Sequence, residues 1–392
     1  MAVINYGDTE VEVEGARWRD GDVWLPLAAV PSAIGWDLRP EGMCAGETCV
    51  PLPPGATWSD DTHFNLSAFA RHIGLAEASD VERDVVAYVV PDAGAGTGSV
   101  QAPDFTLPDL DGNLHSLSDQ RGRKVVLLTW GSYCGCRFDL PGWQALYDEL
   151  KSEGFTVLAV AEDAGGAETT RPWIRPSSLE EQYPQPILDL MGWDAEAWAG
   201  AALPEYPCLI DERHQVSVLY GMVNVPSAVW IDEEGRIVRP PEPAGVTEDF
   251  KAIDLASFSM PPDAVERGSH HRNRYLAAVR DWVRRGPDSP AVLPADDVRR
   301  RMSGSGPDAA RGAAHFRLAE TLYRRKDPDG AQLHFAEAVR LWPQNWAYQR
   351  QARQLADPDT VGELDAGPEF WRSLTARGDG AFYPAVDLPV TG

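Results

Sequence analysis

Two cysteines separated by one glycine stand in the run Thr129-Trp-Gly-Ser-Tyr-Cys-Gly-Cys-Arg137, the residue types of a sulfur nucleophile and its resolving partner. The run directly follows a continuous apolar stretch of buried-strand length, Lys124-Val-Val-Leu-Leu-Thr-Trp130. It opens an amphipathic stretch that carries Trp143, Leu146, Tyr147 and Leu150. Cys134 therefore falls at or beside a helix N-terminus, where unpaired backbone N–H groups and the positive end of the helix dipole stabilise a thiolate. Arg137 adds a nearby positive charge. Cys134 is the expected nucleophile, an exposed sulfur. Cys136, inside the first turn and less exposed, is placed to attack a mixed disulfide on Cys134 and release the reduced product. One intervening residue closes a tight ring, so a Cys134–Cys136 disulfide is expected to be strained and more oxidising than a structural bridge, with Gly135 relieving part of the strain. Two inert helix cysteines, or half of a metal site, are the competing readings. The strand-to-helix junction argues against inert burial, and a metal would need its remaining ligands from elsewhere.

Other candidates are fewer. Trp130 and Tyr133 flank the motif as an apolar collar, packing rather than chemistry. Cys44 and Cys49, in Gly42-Met-Cys-Ala-Gly-Glu-Thr-Cys-Val50, are close enough in sequence to pair, either as a local staple or as a relay that passes electrons to Cys134. Cys208 begins an apolar run after Pro207 and is expected to be buried and inert. His270 and His271 are adjacent and cannot share a helical face, and no Cys or His stands at ligand spacing, so neither a metal nor another cofactor is expected. The hydrolase signatures G-x-S-x-G and H-E-x-x-H do not occur.

The elements that must position the cysteines lie in residues 102–245. Lys124 to Trp130 and Phe155-Thr-Val-Leu-Ala-Val160, with the amphipathic stretch between them, read as a βαβ unit. Ser227-Ala-Val-Trp-Ile-Asp-Glu-Glu-Gly-Arg-Ile-Val238 reads as a hairpin broken at Glu-Gly, so the sheet is expected to be mixed. Residues 164–204, rich in Trp, Pro and acidic side chains, read as an elaborated crossover. The glycine-rich stretch 93–101 has no Lys-Ser/Thr ending and reads as a linker rather than a phosphate loop. Residues 1–92 are expected to form a small α+β domain with an internal repeat. Leu27-Ala-Ala-Val-Pro-Ser-Ala-Ile-Gly35 matches Leu66-Ser-Ala-Phe-Ala-Arg-His-Ile-Gly74, each copy a strand, a short helix and a glycine cap. It resembles the strand–helix repeats of copper amine oxidase N-terminal-like domains, which implies a non-catalytic module. Residues 246–392 read as an all-α region. Within it, Ala319, Ala331, Ala338 and Pro343, spaced 12, 7 and 5 apart with the large apolar Leu322 and Phe335 between them, resemble one tetratricopeptide repeat over about 312–345. One such repeat cannot bury its own face, so the helical stretches Leu276 to Val283 and Trp346 to Leu355 are expected to stack on it, as a cap or as a partner-docking surface.

The chain has 392 residues, 35 Lys and Arg against 60 Asp and Glu, and a formal net charge of −25. That balance disfavours nucleic acid and anionic membranes as partners and makes basic or neutral ones the expectation. No apolar run reaches membrane-spanning length, and the start Met1-Ala-Val-Ile-Asn-Tyr-Gly lacks a basic and apolar leader pattern. Five cysteines are too few and odd in number for a disulfide scaffold; a cytoplasmic location is the expectation.

A family resemblance is carried by Ala102-Pro-Asp-Phe-Thr-Leu-Pro-Asp-Leu-Asp-Gly-Asn113, Ser116-Leu-Ser-Asp119, the cysteine motif, Val225-Pro226-Ser and Ile231-Asp-Glu-Glu-Gly235. In that order they resemble the redoxin group of the thioredoxin superfamily, the ResA/TlpA-like thiol-disulfide oxidoreductases, over about 135 residues. Where that group has Trp-Cys-Pro-Pro-Cys, this chain has one spacer residue fewer. Trp130-Gly-Ser-Tyr-Cys-Gly-Cys136 is more similar to ResA-like proteins with Trp-Ala-x-x-Sec-Gly-Cys, which puts Cys134 at the selenocysteine position. The resemblance implies a thioredoxin-like α/β fold, a mixed sheet flanked by helices. It also implies a cis bond before Pro226, facing the cysteines, with the Val225 backbone free to pair with an extended substrate. The expected function is a thiol-disulfide oxidoreductase acting on a protein or small-molecule disulfide and reset by a thiol donor. The alternative is a thiol peroxidase, because Gly131-Ser-Tyr-Cys-Gly135 resembles the Ala-Ser-x-Sec-Gly core of glutathione peroxidases; that family's Trp-Asn-Phe segment is absent, as is a Thr three residues before Cys134. A non-enzymatic soft-metal or partner-binding protein is the third reading.

Overall fold

The run Lys124–Trp130 is a strand buried at all seven positions, and the sheet around it carries the candidate site. In a computed structural model of the chain, the described residues are 1–392 apart from 8, 54–57, 91–99, 176–187, 190–202, 258, 303, 305, 377–380 and 390–392. They divide into two compact units, Met1–Asp92 with Gly304–Gln344, and Ala93–Ser303 with Asn345–Gly392.

The second unit has a five-stranded sheet in the order Cys208–Asp211, Phe155–Glu162, Lys124–Trp130, Ser227–Ile231, Ile237–Pro243. The first three strands are parallel and the last two form the expected antiparallel hairpin. Because side chains alternate across a strand, Val126, Leu128 and Trp130 face one core and Val125 and Leu127 the other. The helix Leu140–Leu150 buries Trp143 and Leu146 against the first core. This is the thioredoxin-like α/β arrangement, with helices from the C-terminal third added to it. The helix Pro262–Arg285 starts with a proline in its first turn and is followed by Gly286. It lays Tyr275 and Trp282 over Trp230: the rings of Trp230 and Trp282 stack with centroids 5.1 Å apart, and Trp230 Nε1 donates to Tyr275 Oη at 2.9 Å. Most of the linker 93–101 and most of the crossover 164–204 lie outside the described residues; Gly166–Ile174 of the latter is helical. Among the described residues no helix is long and apolar enough to cross a membrane.

The first unit has a four-stranded sheet in the order Thr9–Val13, Ala2–Tyr6, Val85–Val89, Ala76–Asp80, and two three-stranded sheets. Each copy of the repeat is a strand followed by a short helix: Asp22–Pro26 with Val30–Ile34, and His63–Asn65 with Leu66–His72. Gly35 and Gly74, at φ 72° and 78°, turn the chain out of these helices.

The helical region 246–392 is not one body. The hairpin Pro307–Arg324 and Pro328–Leu341 belongs to the first unit, whereas Pro262–Arg285 and Trp346–Ala356 belong to the second. The hairpin does need an apolar cover, but that cover is the four-stranded sheet rather than neighbouring helices. Polar ties fix it there: Thr321 Oγ1 donates to Glu10 at 2.9 Å, Arg325 pairs with Glu12 at 2.5 Å, and Arg83 pairs with Asp327 at 2.7 Å.

Trp282 is buried, so Trp282→Ala should destabilise the second unit by about 3–5 kcal/mol in denaturant unfolding. Leu333→Ala, at a residue 63% exposed, should stay within about 0.5 kcal/mol of the parent.

Candidate active site

The strand ending at Trp130 delivers the cysteine loop, and the loop is anchored before it reaches the sulfur. A Cβ on residue 131 would lie 2.6 Å from the Tyr133 ring, so only glycine fits there. Ser132 donates from its backbone to Asp163 Oδ2 at 3.1 Å and bonds the same carboxylate through its hydroxyl. Asp163, just past the strand Phe155–Glu162, also accepts from Thr169 Oγ1 at 2.9 Å and from the Gly165 N–H at 3.1 Å. Cys134 is then the extended N-cap of a 3-10 turn, Gly135–Asp139, that leads into the helix Leu140–Leu150. Its sulfur accepts from the Cys136 backbone N–H at 3.3 Å. This is the helix-start geometry expected from the sequence.

Both thiols are free, and both are buried: Cys134 is 4% exposed and Cys136 3%. The expected exposed sulfur is therefore corrected; Cys134 meets open space only through a pocket. Burial works against a charged sulfur, but the Cys136 thiol and the Arg350 guanidinium outweigh it and bring Cys134 down to about 5. Cys136 moves the other way, raised by burial and then by the neighbouring Cys134 sulfur.

Arg350 comes from the helix Trp346–Ala356, more than two hundred residues after the cysteines. It donates to the Tyr133 carbonyl at 2.7 Å and to Asp365 Oδ2 at 3.2 Å, and lies 5.1 Å over the Tyr133 ring. The Asp365 backbone N–H donates to the same Tyr133 carbonyl at 2.9 Å. Burial opposes the charge on Arg350, yet Cys134 and Asp365 together raise its pKa. Arg137, the cation expected beside the thiolate, does feel the charge of Cys134, and its side chain also ties down the loop. It donates to the carbonyls of Ser132 at 2.5 Å and Gly362 at 3.2 Å and stacks on Trp173 at 3.7 Å, and burial lowers it to about 10. It braces the loop, while Arg350 is the guanidinium that lowers the Cys134 pKa most directly.

Opposite the sulfur, the Val225–Pro226 bond is cis. The Val225 backbone is not free. Its N–H donates to Asn224 Oδ1 at 3.0 Å, and its carbonyl accepts from Tyr383 Oη at 2.9 Å and, from the thiol form of Cys134, at 3.5 Å. Tyr383 is held over it by Glu248, which accepts from the Phe382 and Tyr383 backbone N–H groups, and by Asn224 Nδ2, which donates to the Phe382 carbonyl at 3.0 Å. The C-terminal segment thus occupies the backbone edge expected to receive substrate. Above the two cysteines and Pro226 lies a cavity of about 960 Å³, its open mouth included, walled by Phe250, Phe370, Trp371, Phe382 and Tyr383.

The remaining candidates separate cleanly. Trp130 and Tyr133 are buried packing residues, and Gly135 begins the 3-10 turn. Cys44 and Cys49 are bonded to each other, joining the paired strands Gly42–Ala45 and Thr48–Val50 of the first unit. Cys208 is buried at the start of its strand, and burial pushes its thiol up to about 12. Among the described residues no group of three or more His, Cys, Asp or Glu gathers to hold a metal. Sequence reasoning missed Arg350, Asp365 and Tyr383; the aromatic cluster Phe370, Trp371, Phe382 and Tyr383 near the C-terminus was the available signal.

Residues 99–239 match the model of the AhpC/TSA family. Proteins named thiol-disulfide oxidoreductase ResA are similar to the chain. That of Halalkalibacterium halodurans is 30% identical over 151 residues, 38% of this chain and 70% of the relative. That of Geobacillus thermodenitrificans is 29% identical over 151 residues, 38% and 72%, and that of Geobacillus kaustophilus 31% identical over 137 residues, 35% and 64%. Among solved structures, a putative thiol:disulfide interchange protein DsbE from Chlorobium tepidum is 23% identical, covering 45% of this chain and 96% of its own, at a TM-score of 0.29.

Cys134 alkylation by iodoacetamide in the reduced protein should follow a single titration with a midpoint near pH 5, the rate falling on the acid side. Arg350→Met should move that midpoint up towards the ordinary cysteine value of about 8.5. Asp365 keeps Arg353 at 2.6 Å in this variant, so no carboxylate is stranded. An unmoved midpoint would remove Arg350 from the site's electrostatics.

Proposed function

The chain belongs to the ResA-like thiol-disulfide oxidoreductases of the AhpC/TSA family, and from that premise we propose that Cys134 is its nucleophile and Cys136 its resolving thiol. The observation that carries the assignment is the placement of Cys134 as N-cap of the turn, its sulfur accepting from the Cys136 N–H at 3.3 Å, with the Cys134 thiol lowered and the Cys136 thiol raised in accord with it.

The Cys134 thiolate attacks one sulfur of a substrate disulfide, forming a mixed disulfide and expelling a thiolate, which takes a proton from water. Forming that bond removes the negative charge beside Cys136. The charge was one of the causes holding the Cys136 thiol up, so this thiol now ionises more readily and attacks the Cys134 sulfur. The second substrate thiolate leaves. The balance is one disulfide reduced to two thiols, and Cys134 and Cys136 oxidised to one disulfide; an external thiol donor returns the two electrons. Arg350 stabilises the attacking thiolate at the start and the same anion when the donor regenerates it.

The match of the cysteine run to the Trp-Ala-x-x-Sec-Gly-Cys pattern supports the same assignment, since the selenium position needs an atom anionic at neutral pH. A thiol peroxidase is the second reading, supported by the AhpC/TSA match and by a guanidinium beside the sulfur. There the peroxide O–O bond breaks, Cys134 becomes a sulfenic acid with release of water or alcohol, and Cys136 condenses with it to the same disulfide and a water.

Cys136→Ser should accumulate a mixed disulfide on Cys134 visible by intact-mass spectrometry, and Cys134→Ser should form none. If Cys136→Ser instead gathers sulfenic acid from peroxide much faster than it reacts with any disulfide, the peroxidase reading replaces this one. Because a low Cys134 pKa favours the reduced form, the Cys134–Cys136 couple should be more oxidising at pH 7 than in Arg350→Met. The gap should be on the order of 30 mV for each pKa unit gained while the value stays below the working pH, read by thiol/disulfide equilibration.

A further inference from the structure

The pocket above Cys134 carries information about substrate size and polarity that the cysteines alone do not. Three observations bear on it. The Val225 backbone, the edge on which an extended peptide would pair beside the cysteines, is used on both sides within the chain, by Asn224 Oδ1 and by Tyr383 Oη. The attacking sulfur is nearly sealed from bulk solvent and meets space through the pocket. The walls are dominated by ring and aliphatic surfaces, with Phe250, Ile253, Leu255, Met260, Phe370 and Trp371 on the lining. Of these, Phe250 packs against the rings of Phe382, at 5.2 Å, and Tyr383, at 5.7 Å, so the wall is continuous with the segment that covers Val225.

We infer that the substrate of this site is a small apolar disulfide, of aryl or aralkyl type, bound in the pocket, and not a disulfide carried on a polypeptide. The inference rests on the oxidoreductase reading above and narrows its substrate class. A polypeptide disulfide must bring backbone with it. Here the backbone edge is occupied, and the polar main chain would be desolvated against walls in which ring and aliphatic surface outweighs the polar side chains Thr247, Arg272, Arg350 and Asp365. An aromatic thiol fragment meets none of these costs. It buries apolar surface against the rings and leaves its sulfur over Cys134. The step is the one already balanced: R–S–S–R and two cysteine thiols give two R–SH and the Cys134–Cys136 disulfide, with an external dithiol such as dithiothreitol supplying the electrons for turnover.

The reduced 392-residue chain would be mixed separately with dibenzyl disulfide, bis(2-hydroxyethyl) disulfide, oxidised glutathione and insulin. The appearance of the Cys134–Cys136 disulfide would be followed by mass spectrometry, and each rate divided by that of a free small thiol with the same disulfide. The normalised rate with dibenzyl disulfide should exceed the other three by about tenfold or more, the scale set by a few apolar contacts. Phe250→Ala should lower the ratio of the dibenzyl rate to the bis(2-hydroxyethyl) rate by about tenfold. Equal normalised rates, or insulin reacting fastest, would overturn the substrate class while leaving the oxidoreductase intact. No Cys134–Cys136 disulfide with any of the four would instead overturn the oxidoreductase reading itself. If Phe250→Ala slows both small disulfides equally, the wall does not select the substrate and the inference fails.

Discussion

A sulfur that must be anionic sits largely buried, meeting space only through its pocket, and the rest of the site follows from that constraint. An unpaired thiolate so buried is costly, so a fixed positive charge has to accompany it. Arg350 is that charge, and it is itself buried, which means its own orientation must be secured. Tyr133 supplies a carbonyl and a ring face, and Asp365 a carboxylate that Arg353 shares. The linkage has a definite sign. Because the folded-state value of Cys134 lies below that of a free thiol near about 8.5, its contribution to the stability of the reduced protein is complete above that value. It shrinks as pH falls and is lost through about 5, where the folded thiolate is protonated.

That division of labour maps onto the chain. The strand, the cysteine turn and the cis proline lie in the segment that matches the family model, 99–239. The charge partner, the cover on Val225 and the aromatic walls come from residues 246–383, outside it. The sheet thus presents a reactive pair whose second thiol already favours the Cys134 thiolate, and the helices beyond it add Arg350 to that stabilisation and wall the approach to the sulfur.

What the sequence disclosed is what local geometry determines. A strand-length apolar run, a Cys-Gly-Cys turn and an amphipathic period follow one another within thirty residues, so Cys134 could be placed at a helix start without knowing anything distant. The Cys44–Cys49 pair and the two strand–helix repeats were legible for the same reason. Arg137 was legible as a charge near the sulfur, but its bonds to the Ser132 and Gly362 carbonyls and its stacking on Trp173 were not, because sequence proximity does not say where a long side chain points. Arg350 and Tyr383 were illegible because nothing periodic links them to residue 134. The hairpin 307–341 shows the same limit at the level of units: its apolar face announces a need for cover, and that need is met equally well by helices or by a sheet.

The buried pair of Arg272 and Asp139, 2.5 Å apart, ties these levels together. Asp139 closes the 3-10 turn that begins at Gly135, and Arg272 sits midway along the helix Pro262–Arg285. A buried ion pair of this kind contributes little net stability, since desolvating both groups offsets most of their attraction. Its effect is on registration: breaking it would strand a charge, so the helix has one favourable setting along the turn. That setting also places Tyr275 against Trp230 and Trp282 over it, and it puts Arg272 itself on the pocket lining. The turn that holds the sulfurs and the helix that walls their pocket are therefore fixed relative to each other by the same contact, so reactivity and access at Cys134 are set by one folded arrangement.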